Sequence, residues 1–565
     1  MLRLTELKLR FDQTTEALPA LIAERLGVDV SMIVAWSVFK RSIDARKAEL
    51  RAVYIVDVEF ADALQSTLLA RFIDDPQVFA TPDMRYQLVA SAPAKLALRP
   101  VVVGFGPCGI FAALLLAQMG FRPIVLERGK KVRERTQDTW ALWRRRELNP
   151  ESNVQFGEGG AGTFSDGKLY TQIRDPRFLG RKVMKEFVAA GANPDILIDA
   201  HPHIGTFKLV KVVENLRQQI IALGGEIRFQ QRVSDILIDG DAPSRRVRGL
   251  VVFDLSSGQS YEQTAHHIVL ALGHSSRDTF AMLHERGVAM SAKPFSIGLR
   301  IEHPQSLIDQ ARWGRHAGHA KLGSAEYKLV HHASNGRSVY SFCMCPGGTV
   351  VAATSEPGCV VTNGMSQYSR SERNANAGIV VGIAAQDFPR EPAVLLAGLG
   401  DGVSLQVNAD SAVHPLAGVV LQRQLESAAY LVGGSDYNAP GQLVGDFIAG
   451  KHSTQLGGVE PSYKPGVTLG DLTAVLPVYA VASIREALPA FASKIKGFDM
   501  PDAVLTGVET RTSSPLKIPR GENLQSINTR GLYPAGEGAG YAGGILSAGV
   551  DGIKVAEAIA KDLLA

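Results

Sequence analysis

Three short glycine motifs in this chain have the spacing G-x-G-x-x-G, which is typical of a turn that binds a dinucleotide. They consist of Gly104, Gly106 and Gly109, of Gly157, Gly159 and Gly162, and of Gly538, Gly540 and Gly543. Such a turn needs glycine because the backbone bends sharply, approaches a pyrophosphate and lets a helix pack closely on a strand. The indicated chemistry is the binding of a phosphate-bearing cofactor. The elements around each motif decide whether the chain binds one nucleotide or three.

The first motif has the complete surroundings of a dinucleotide site. The buried strand PVVVGFGPCG runs into the turn, and the helix IFAALLLAQMG follows it and ends at Gly120. The next strand, RPIVLERG, carries Glu127 near its end, roughly 20 residues after the turn, where a carboxylate accepts hydrogen bonds from an adenosine ribose. This order of strand, turn, helix, strand and acid predicts a dinucleotide site at residues 104–109.

The other two motifs lack these surroundings. After Gly162 the sequence TFSDGKLYTQIRD is polar and rich in turn residues, and no strand with an acid at its end follows. After Gly543 a helix does follow, in GILSAGVDGIKVAEAIAKDLL, but the sequence ends at residue 565 before a second strand. We therefore predict one nucleotide site that is completed by two accessory loops.

The composition is typical of a large cytoplasmic protein of several domains. The 565 residues include 45% hydrophobic residues, four cysteines, and 60 basic against 56 acidic residues. Few cysteines indicate a reducing compartment, and the balanced charge predicts neither a nucleic-acid partner nor an anionic membrane surface. The start, MLRLTELKLRFDQ, has no signal-peptide core. The apolar run at residues 101–121 is long enough to span a bilayer, but its glycines indicate a strand-to-helix turn.

Several segments resemble known flavoproteins. The first motif with Glu127 and Arg128, the strand IVLALGH, and the segment GLYPAGEGAGYAGGILSAGVDG are similar to the FAD domain of glutathione-reductase-type flavoproteins. A closer resemblance, to a family of bacterial FAD-dependent dehydrogenases, rests on FKRSIDARK, FGEGGAGTFSDGKL, YSFCMCPGG, TNGMS and RTSSP, and spans essentially the whole chain. The resemblance implies FAD as the cofactor and leaves the substrate open.

The resemblance also implies an α/β fold in which a Rossmann-like FAD-binding domain is interrupted by an inserted α+β cap. Before it, the alternation in LTELKLRF and AELRAVYIVDVEF predicts strands of a small N-terminal α/β domain, for which we expect a ferredoxin-like fold. The expected boundaries are 1–97 for the N-terminal domain, 98–290 and 500–565 for the two parts of the FAD domain, and 291–499 for the cap.

The same resemblance assigns residues to the cofactor. A terminal G-[DE] segment places its acid on the ribityl chain, and the next helix begins at the flavin. The loop GGAGTFSDGK offers backbone N–H groups and polar side chains to the flavin or its phosphates, and the alternative is a surface loop. Val233 either offers its backbone to the adenine or is a core residue of a strand. The predicted cofactor-binding residues are Gly104, Gly106, Pro107, Gly109, Glu127, Arg128, Gly160, Gly162, Thr163, Ser165, Lys168, Val233, Gly273, Gly536, Glu537, Gly544 and Ile545.

Four side chains of the expected cap are candidates for the substrate side, namely Arg300, Tyr327, Cys343 and Cys345. The alternation in RSVYSFCMC is typical of a strand and favours the two cysteines as small buried residues over a redox pair. No spacing identifies a catalytic side chain, because in a flavoenzyme the flavin itself takes the hydride at N5. No metal site is expected.

We therefore expect a FAD-dependent oxidoreductase that acts on a small molecule, with NADH or NADPH as a transient electron donor. The alternative is a FAD-containing RNA-associated or regulatory protein whose N-terminal domain binds the partner. In residues 1–60 the basic and acidic residues are equal in number, so this alternative has no extended electrostatic footprint. The oligomeric state is left open.

Overall fold

The structure is a computed structural model that describes residues 1–45, 49–241, 243–319, 321–400, 403–405 and 413–565. Its strands are β1 (Leu2–Arg10), β2 (Ala35–Asp44), β3 (Arg51–Glu59), β4 (Val78–Ala80), β5 (Val101–Val103), β6 (Ile124–Glu127), β7 (Glu226–Phe229), β8 (Gln231–Asp239), β9 (Arg246–Asp254), β10 (Gln259–Thr264), β11 (Ile268–Leu270), β12 (Ser291–Ala292), β13 (Phe295–Pro304), β14 (Val330–His332), β15 (Ser338–Ala352), β16 (Thr362–Met365), β17 (Asn374–Ile383), β18 (Ala439–Leu443), β19 (Val467–Leu469), β20 (Val504–Glu509), β21 (Leu516–Lys517) and β22 (Leu532–Pro534).

The α-helices are α1 (Leu18–Leu26), α2 (Asp62–Arg71), α3 (Pro107–Gln118), α4 (Val132–Arg145), α5 (Leu179–Ala189), α6 (Thr206–Ala222), α7 (Arg277–Glu285), α8 (Gln305–Trp313), α9 (Pro392–Leu399), α10 (Ala417–Val432), α11 (Val444–Ala449), α12 (Val478–Ala492) and α13 (Ile545–Asp562). Short 3-10 turns occur at Thr15–Ala17, Val30–Met32, Ala161–Phe164, Pro194–Leu197, Gly314–His316, Ala385–Asp387 and Leu472–Ala474.

The chain forms two compact units. One contains Met1–Gln87 and Lys168–Ile204, and the other contains Leu88–Gly167 and Gly205–Ala565. The sequence-based boundaries assign residues 168–204 to the FAD domain, whereas the structure groups them with the N-terminal residues. Within the first unit, Arg41 Nη2 donates to Asp199 Oδ1 at 2.6 Å, and the Ala200 N–H donates to the Arg41 carbonyl at 2.9 Å. These contacts join residues that lie far apart in the sequence, so no local sequence pattern predicts them.

The N-terminal residues have the order β1-α1-β2-β3-α2-β4, and their strands form an antiparallel sheet in the order β2-β3-β1-β4. This βαββαβ arrangement is the ferredoxin-like fold that the sequence predicts. Leu4, Val56 and Ile22 belong to the apolar core that forms between this sheet and its helices. Helix α1 ends at Gly27, whose φ of 64° lies in the left-handed region that favours glycine.

In the second unit, a parallel sheet in the order β22-β11-β5-β6-β7 has the strand order of a Rossmann-like domain. The C-terminal strand β22 lies next to β11, so a sheet made from two chain segments is confirmed. Helix α3 packs against α13 so closely that a Cβ at Gly552 would overlap the Cys108 carbonyl oxygen. The apolar run at 101–121 is therefore a buried strand and helix. Among the described residues, no helix has the length and apolar character needed to cross a bilayer.

The same unit contains a larger sheet in the order β14-β15-β17-β13-β20-β18-β19, with β16 paired to β15. Alternate residues of β13 face in opposite directions, as in any strand. Ile297, Leu299 and Ile301 lie in the apolar core. Arg300 and Glu302, which alternate with the apolar residues and face the opposite side, are also fully buried. This sheet therefore has one apolar and one polar buried face.

A buried ion-pair network links α7, α10 and the segment after β20. Glu426 Oε1 accepts from Arg277 Nη2 at 2.7 Å, and Glu426 Oε2 accepts from Arg511 Nη2 at 2.9 Å. Burial alone would raise the pKa of Glu426, but Arg277 and Arg511 lower it far below its usual range. Glu356, Cys359 and Glu426 bring three potential metal ligands within 4.8 Å. Because arginines already neutralise both carboxylates, this cluster is accounted for as part of the ion-pair network.

We predict that Glu426→Gln destabilises the second unit by about 3–5 kcal/mol, because it leaves the buried Arg511 without a carboxylate and leaves Arg277 paired with the half-buried Glu356. The urea midpoint, followed by tryptophan fluorescence, measures this loss. Glu460→Gln is the matched control, since Glu460 pairs with Arg373 at an exposed site and its loss leaves the midpoint unchanged. Equal midpoints for Glu426→Gln and wild type would contradict the prediction.

Candidate functional site

Glu127 at the end of β6 connects two of the glycine loops. Its Oε2 accepts from the Phe105 N–H at 2.8 Å, and its Oε1 accepts from the N–H groups of Gly129 at 2.8 Å and Gly157 at 3.0 Å. A carboxylate has about four acceptor positions, so about one remains for a ribose hydroxyl. The predicted ribose contact is therefore compatible with the structure, and Glu127 has a second role, which is to hold the first and second glycine motifs together.

The second and third motifs meet the first one around the N-terminus of α3. A Cβ at Gly160 would be 2.9 Å from the Gly106 Cα, and a Cβ at Gly162 would be 2.9 Å from Ile545 Cγ1 at the start of α13. Pro107 occupies the first position of α3, where a missing N–H costs no hydrogen bond. The N-termini of α3 and α13 and all three glycine loops thus border one site.

Some glycines of these loops are required by the packing of the protein itself. A Cβ at Gly109 would overlap the Gly104 carbonyl oxygen, and one at Gly538 would overlap the Gly273 carbonyl oxygen. Gly536, with a φ of 71°, lies in the left-handed region, and a Cβ there would be 2.9 Å from Cys108 Cβ. These residues therefore set how closely the loops approach the helices.

Other glycines border open space. A Cβ at Gly106 would make only ordinary contact with Gly160 Cα at 3.5 Å, and no atom of the described chain lies within 4 Å of a Cβ at Gly273, Gly543 or Gly544. Packing does not require glycine at these four positions. Gly273 has a φ of 69°, which itself favours glycine, whereas at Gly106, Gly543 and Gly544 the close approach of a ligand to the backbone would account for the missing side chain. The residues therefore fit a dinucleotide cofactor.

Glu537, predicted to bind the ribityl chain, is half-buried beside a lysine that the sequence did not single out. Burial raises the pKa of Glu537 to about 7, while Lys293 lowers it and Cys343 raises it further. Lys293 Nζ donates to Ser513 Oγ at 3.3 Å, and burial lowers its pKa. Lys293 lies more than 200 residues from Glu537 in the chain, so spacing gave no indication of this pair.

Arg135 is a second residue that sequence reasoning missed. It is fully buried in α4, and burial lowers its pKa to about 10. Its guanidinium donates to backbone carbonyl oxygens of the second glycine loop, namely those of Asn153 at 2.7 Å, Val154 at 2.6 Å, Gly157 at 3.3 Å and Glu158 at 2.7 Å. Arg135 therefore fixes the start of this loop, up to Glu158.

The polar residues of this loop have different surroundings. Thr163 is buried, and its Oγ1 has no hydrogen-bond partner in the described part of the chain, so it can serve a ligand. Ser165 Oγ donates to the Gly162 carbonyl at 2.7 Å and thus closes a local turn. Lys168 belongs to the first compact unit, where its backbone pairs with His203.

Two further predicted residues are held by protein contacts. Arg128 forms ion pairs with Glu151 at 2.8 Å and Asp278 at 2.9 Å, and these carboxylates raise its pKa despite its burial. Val233 pairs with Val252 in the antiparallel β8–β9 ladder, and its side chain is buried in an apolar core. Both residues therefore have a structural role, and a cofactor contact by either one stays a prediction.

Of the candidates on the substrate side, Arg300 lies on the polar face of the large sheet, whereas Tyr327 lies in the apolar core, where its ring packs against Phe498. Arg300 is fully buried and donates from Nε to Glu509 Oε2 at 2.8 Å and from Nη1 to Asn376 Oδ1 at 2.7 Å. Its Nη1 also lies 3.3 Å from the Cys343 carbonyl oxygen. Burial raises the pKa of Tyr327, whose hydroxyl has no hydrogen-bond partner among the described residues.

Comparison with known proteins connects the chain to FAD. Residues 294–512 match the family model described as "FAD-dependent protein, C-terminal domain-like", and residues 1–59 match a domain of unknown function. An uncharacterized protein from Clostridium beijerinckii is 44% identical over 561 residues, which cover 99% of this chain and 98% of that protein. The first match contains every strand from β13 to β20, and it overlaps most of the segment expected to form the cap.

Three solved structures share weak overall similarity with the chain. A flavocytochrome c3 fumarate reductase is 13% identical with a TM-score of 0.34, covering 90% of this chain and 82% of that one. A 3-ketosteroid-delta4-(5alpha)-dehydrogenase from Rhodococcus jostii is 13% identical with a TM-score of 0.33, covering 83% and 99%. A glycerol-3-phosphate dehydrogenase from Bacillus halodurans, complexed with FAD, is 13% identical with a TM-score of 0.26, covering 52% and 48%. These scores are low, so none of the three likenesses bears on the chemistry of this chain.

We predict that Gly106→Val yields folded protein without bound cofactor. The backbone at Gly106 has a φ of −82°, which any residue adopts, so the new side chain occupies the ligand's place without straining the turn. Absorbance of the purified protein and its thermal midpoint measure cofactor content and folding. Gly470→Val is the matched control, because a Cβ there also meets open space but lies outside the glycine loops. A Gly106→Val protein that still carries a full complement of cofactor would refute this placement.

We predict that Glu537 makes the cofactor-free protein less stable as the pH rises. Its pKa is about 7 in the folded chain against 4.5 without the fold, so the folded state binds more protons in that window and stability falls with rising pH. Glu537→Gln should flatten this dependence, measured as the thermal midpoint at about pH 5 and about pH 8. Glu460→Gln, at an exposed carboxylate, keeps the wild-type dependence. An unaltered pH profile in Glu537→Gln would show that burial does not raise this pKa.

Proposed function

Because the chain belongs to a family of FAD-dependent proteins, we propose that it is an oxidoreductase, either a dehydrogenase or a reductase, of a small-molecule substrate. FAD is its cofactor. When bound, FAD supplies two-electron chemistry by taking or giving a hydride at N5, while the protein binds, orients and polarises the reactants.

The observation that carries this proposal is the convergence of the three glycine loops around the N-termini of α3 and α13, where Gly543 and Gly544 are exposed. In the proposed complex, the turn at Gly106 and the N-terminus of α3 bind the pyrophosphate, because free N–H groups and the helix dipole favour an anion there. Glu127 then accepts a hydrogen bond from the adenosine ribose, and Glu537 accepts one from the ribityl chain. The N-terminus of α13 directs its positive end toward the flavin.

Polar side chains near Glu537 support the proposal that the protein binds and orients the reactants there. Lys293 donates to Ser513 Oγ, and Ser514 Oγ donates to the Gly538 carbonyl at 3.0 Å, so the segment after β20 is attached to the third glycine motif. Since burial lowers the pKa of Lys293, its Nζ holds its proton less tightly than an exposed lysine does. We propose that Lys293 donates a hydrogen bond to the flavin or the substrate.

The described residues contain no second nucleotide-binding domain that could bind a nicotinamide donor. The larger sheet, which lies within residues 294–512, is antiparallel apart from the β18–β19 pair. A second Rossmann-like unit needs parallel strands joined by helical crossovers. We therefore propose that NADH or NADPH docks transiently over the flavin.

We predict that the purified protein absorbs near 450 nm, roughly where oxidised flavins absorb, and that NADH or NADPH alone bleaches this band slowly and with weak saturation. Stopped-flow mixing under anaerobic conditions measures the rate against donor concentration. Dithionite, which needs no binding site, is the control and should bleach the band completely.

Two outcomes would contradict the proposal. Protein that contains no flavin and cannot be loaded with it would reject the FAD assignment. Fast, saturable reduction at micromolar NADH or NADPH would reveal a nicotinamide site that the described fold does not account for. Nucleic acid that copurifies in amounts that fall with salt would instead favour the alternative of an RNA-associated protein.

A further inference from the structure

His274 is a half-buried residue that follows Gly273, just after the carboxyl end of β11. A Cβ at Gly104, in the first glycine motif, would lie 2.3 Å from the Ala271 carbonyl oxygen. A Cβ at Gly538, in the third motif, would lie 2.3 Å from the Gly273 carbonyl oxygen. The backbone that leads to His274 is therefore enclosed by two of the loops assigned to the cofactor, at the strand ends where parallel sheets bind ligands.

Ser275, the next residue, connects the His274 ring to two buried side chains. Its Oγ lies 3.0 Å from His274 Nδ1. The same oxygen accepts from Arg511 Nη1 at 3.0 Å and donates to Gln155 Oε1 at 3.1 Å. Gln155 Nε2 donates in turn to the Ala353 carbonyl oxygen at 3.0 Å. The ring thus belongs to a hydrogen-bond network that includes the ion pair of Arg511 and the segment before the second glycine motif.

The donors and acceptors of this network determine which ring nitrogen of His274 carries the proton. A carbonyl oxygen only accepts, so the Gln155 amide nitrogen faces Ala353 and the amide oxygen faces Ser275. Among the described residues, the single hydroxyl proton of Ser275 is the only one that reaches this buried oxygen, which would otherwise stay unsatisfied. His274 Nδ1 therefore carries a proton and donates to Ser275 Oγ, and Nε2 keeps a free lone pair.

The groups around His274 also keep its ring neutral. Burial, together with the guanidinium groups of Arg511 and Arg277, lowers the pKa of His274 to about 3, although Glu426 acts in the opposite direction. At neutral pH the ring is therefore uncharged and Nε2 is a hydrogen-bond acceptor. No described residue donates to Nε2. A neutral acceptor of this kind has no proton to offer a phosphate oxygen, whereas it matches a hydroxyl group.

We propose that His274 Nε2 accepts a hydrogen bond from a hydroxyl group of bound FAD, an inference that rests on the proposed function. FAD carries hydroxyl groups on its adenosine ribose and on its ribityl chain, to which Glu127 and Glu537 are assigned. His274 adds an acceptor from β11, whose backbone lies between the first and third motifs. It binds and orients the cofactor, while Ser275 and Gln155 are positioning residues that act through its ring.

The tautomer is measured by nitrogen NMR of the FAD-loaded full chain, labelled with ¹⁵N-histidine. The resonances that disappear in His274→Asn identify the ring. We expect a protonated Nδ1 and an unprotonated Nε2 from about pH 5 to about pH 8, and the Nε2 resonance should move when FAD is removed. In Gln155→Met the side chain no longer accepts from Ser275, whose proton then goes to His274 Nδ1, so the ring proton should move to Nε2.

The contact with FAD is measured as the affinity of the chain for the cofactor, by flavin-release titration. His274→Asn places an amide nitrogen near the position of Nδ1, so the bond to Ser275 is kept while the outer acceptor is lost. It should weaken FAD binding roughly threefold to tenfold, the worth of one neutral hydrogen bond. His267→Asn is the matched control, because His267 precedes the other end of β11 and pairs with Asp562. Its affinity for FAD should equal that of wild type.

The outcomes separate this inference from the proposed function. A flavin-loaded wild type whose His274 ring is charged, or carries its proton on Nε2, would overturn the inference and leave the FAD assignment intact. Unchanged FAD affinity in His274→Asn, or an equal loss in His267→Asn, would do the same. A chain that cannot be loaded with flavin would overturn both. If His274→Asn does not fold, an Nε2 resonance of wild type that stays in place when FAD is removed would contradict the contact.

Discussion

The second unit depends on the pairing of one buried carboxylate, Glu426, with two buried guanidinium groups. Arg277 begins the helix that follows the parallel sheet, and Arg511 follows the last strand of the larger sheet. Each charge is too costly to bury alone, so these elements must come together for the chain to fold. Arg511 Nη1 also donates to Ser275 Oγ at 3.0 Å, two residues after Gly273 of the candidate site. The network therefore links the larger sheet to the helix that follows β11 of the parallel sheet.

A second carboxylate performs the same task within the cofactor site. Glu127 collects N–H groups from three loop positions, while Arg135 collects carbonyl oxygens of the second glycine loop from the opposite side. Donors and acceptors of a loop are thus satisfied by two buried side chains of opposite charge. A site organised in this way loses little conformational freedom when a ligand binds, which favours affinity.

The glycines show why a shared motif does not mean a shared role. Gly104, Gly109 and Gly538 are required by neighbouring backbone, whereas Gly543 and Gly544 meet no chain atom and Gly106 meets Gly160 only at ordinary contact distance. Each of these glycines belongs to a G-x-G-x-x-G motif or lies next to one. The difference lies in what occupies the position of a missing Cβ, which is a carbonyl oxygen in one set and a ligand in the proposed complex. The cysteines of β15 are a similar case, because the alternation predicts an ordinary strand while a bulge gives Cys343 a φ of 44°.

The sequence by itself determined the features that depend on neighbours along the chain. Alternation and helical periodicity predicted the ferredoxin-like unit, and strand, turn, helix and acid in order predicted the site around Gly106, because hydrogen bonds within these elements are local. Only the tertiary structure decided that residues 168–204 join the N-terminal unit, that Lys293 lies beside Glu537, and that Arg277 and Arg511 share Glu426. These pairings join residues far apart in the sequence, and they form because a buried charge or polar group must find a partner wherever the packed chain places one.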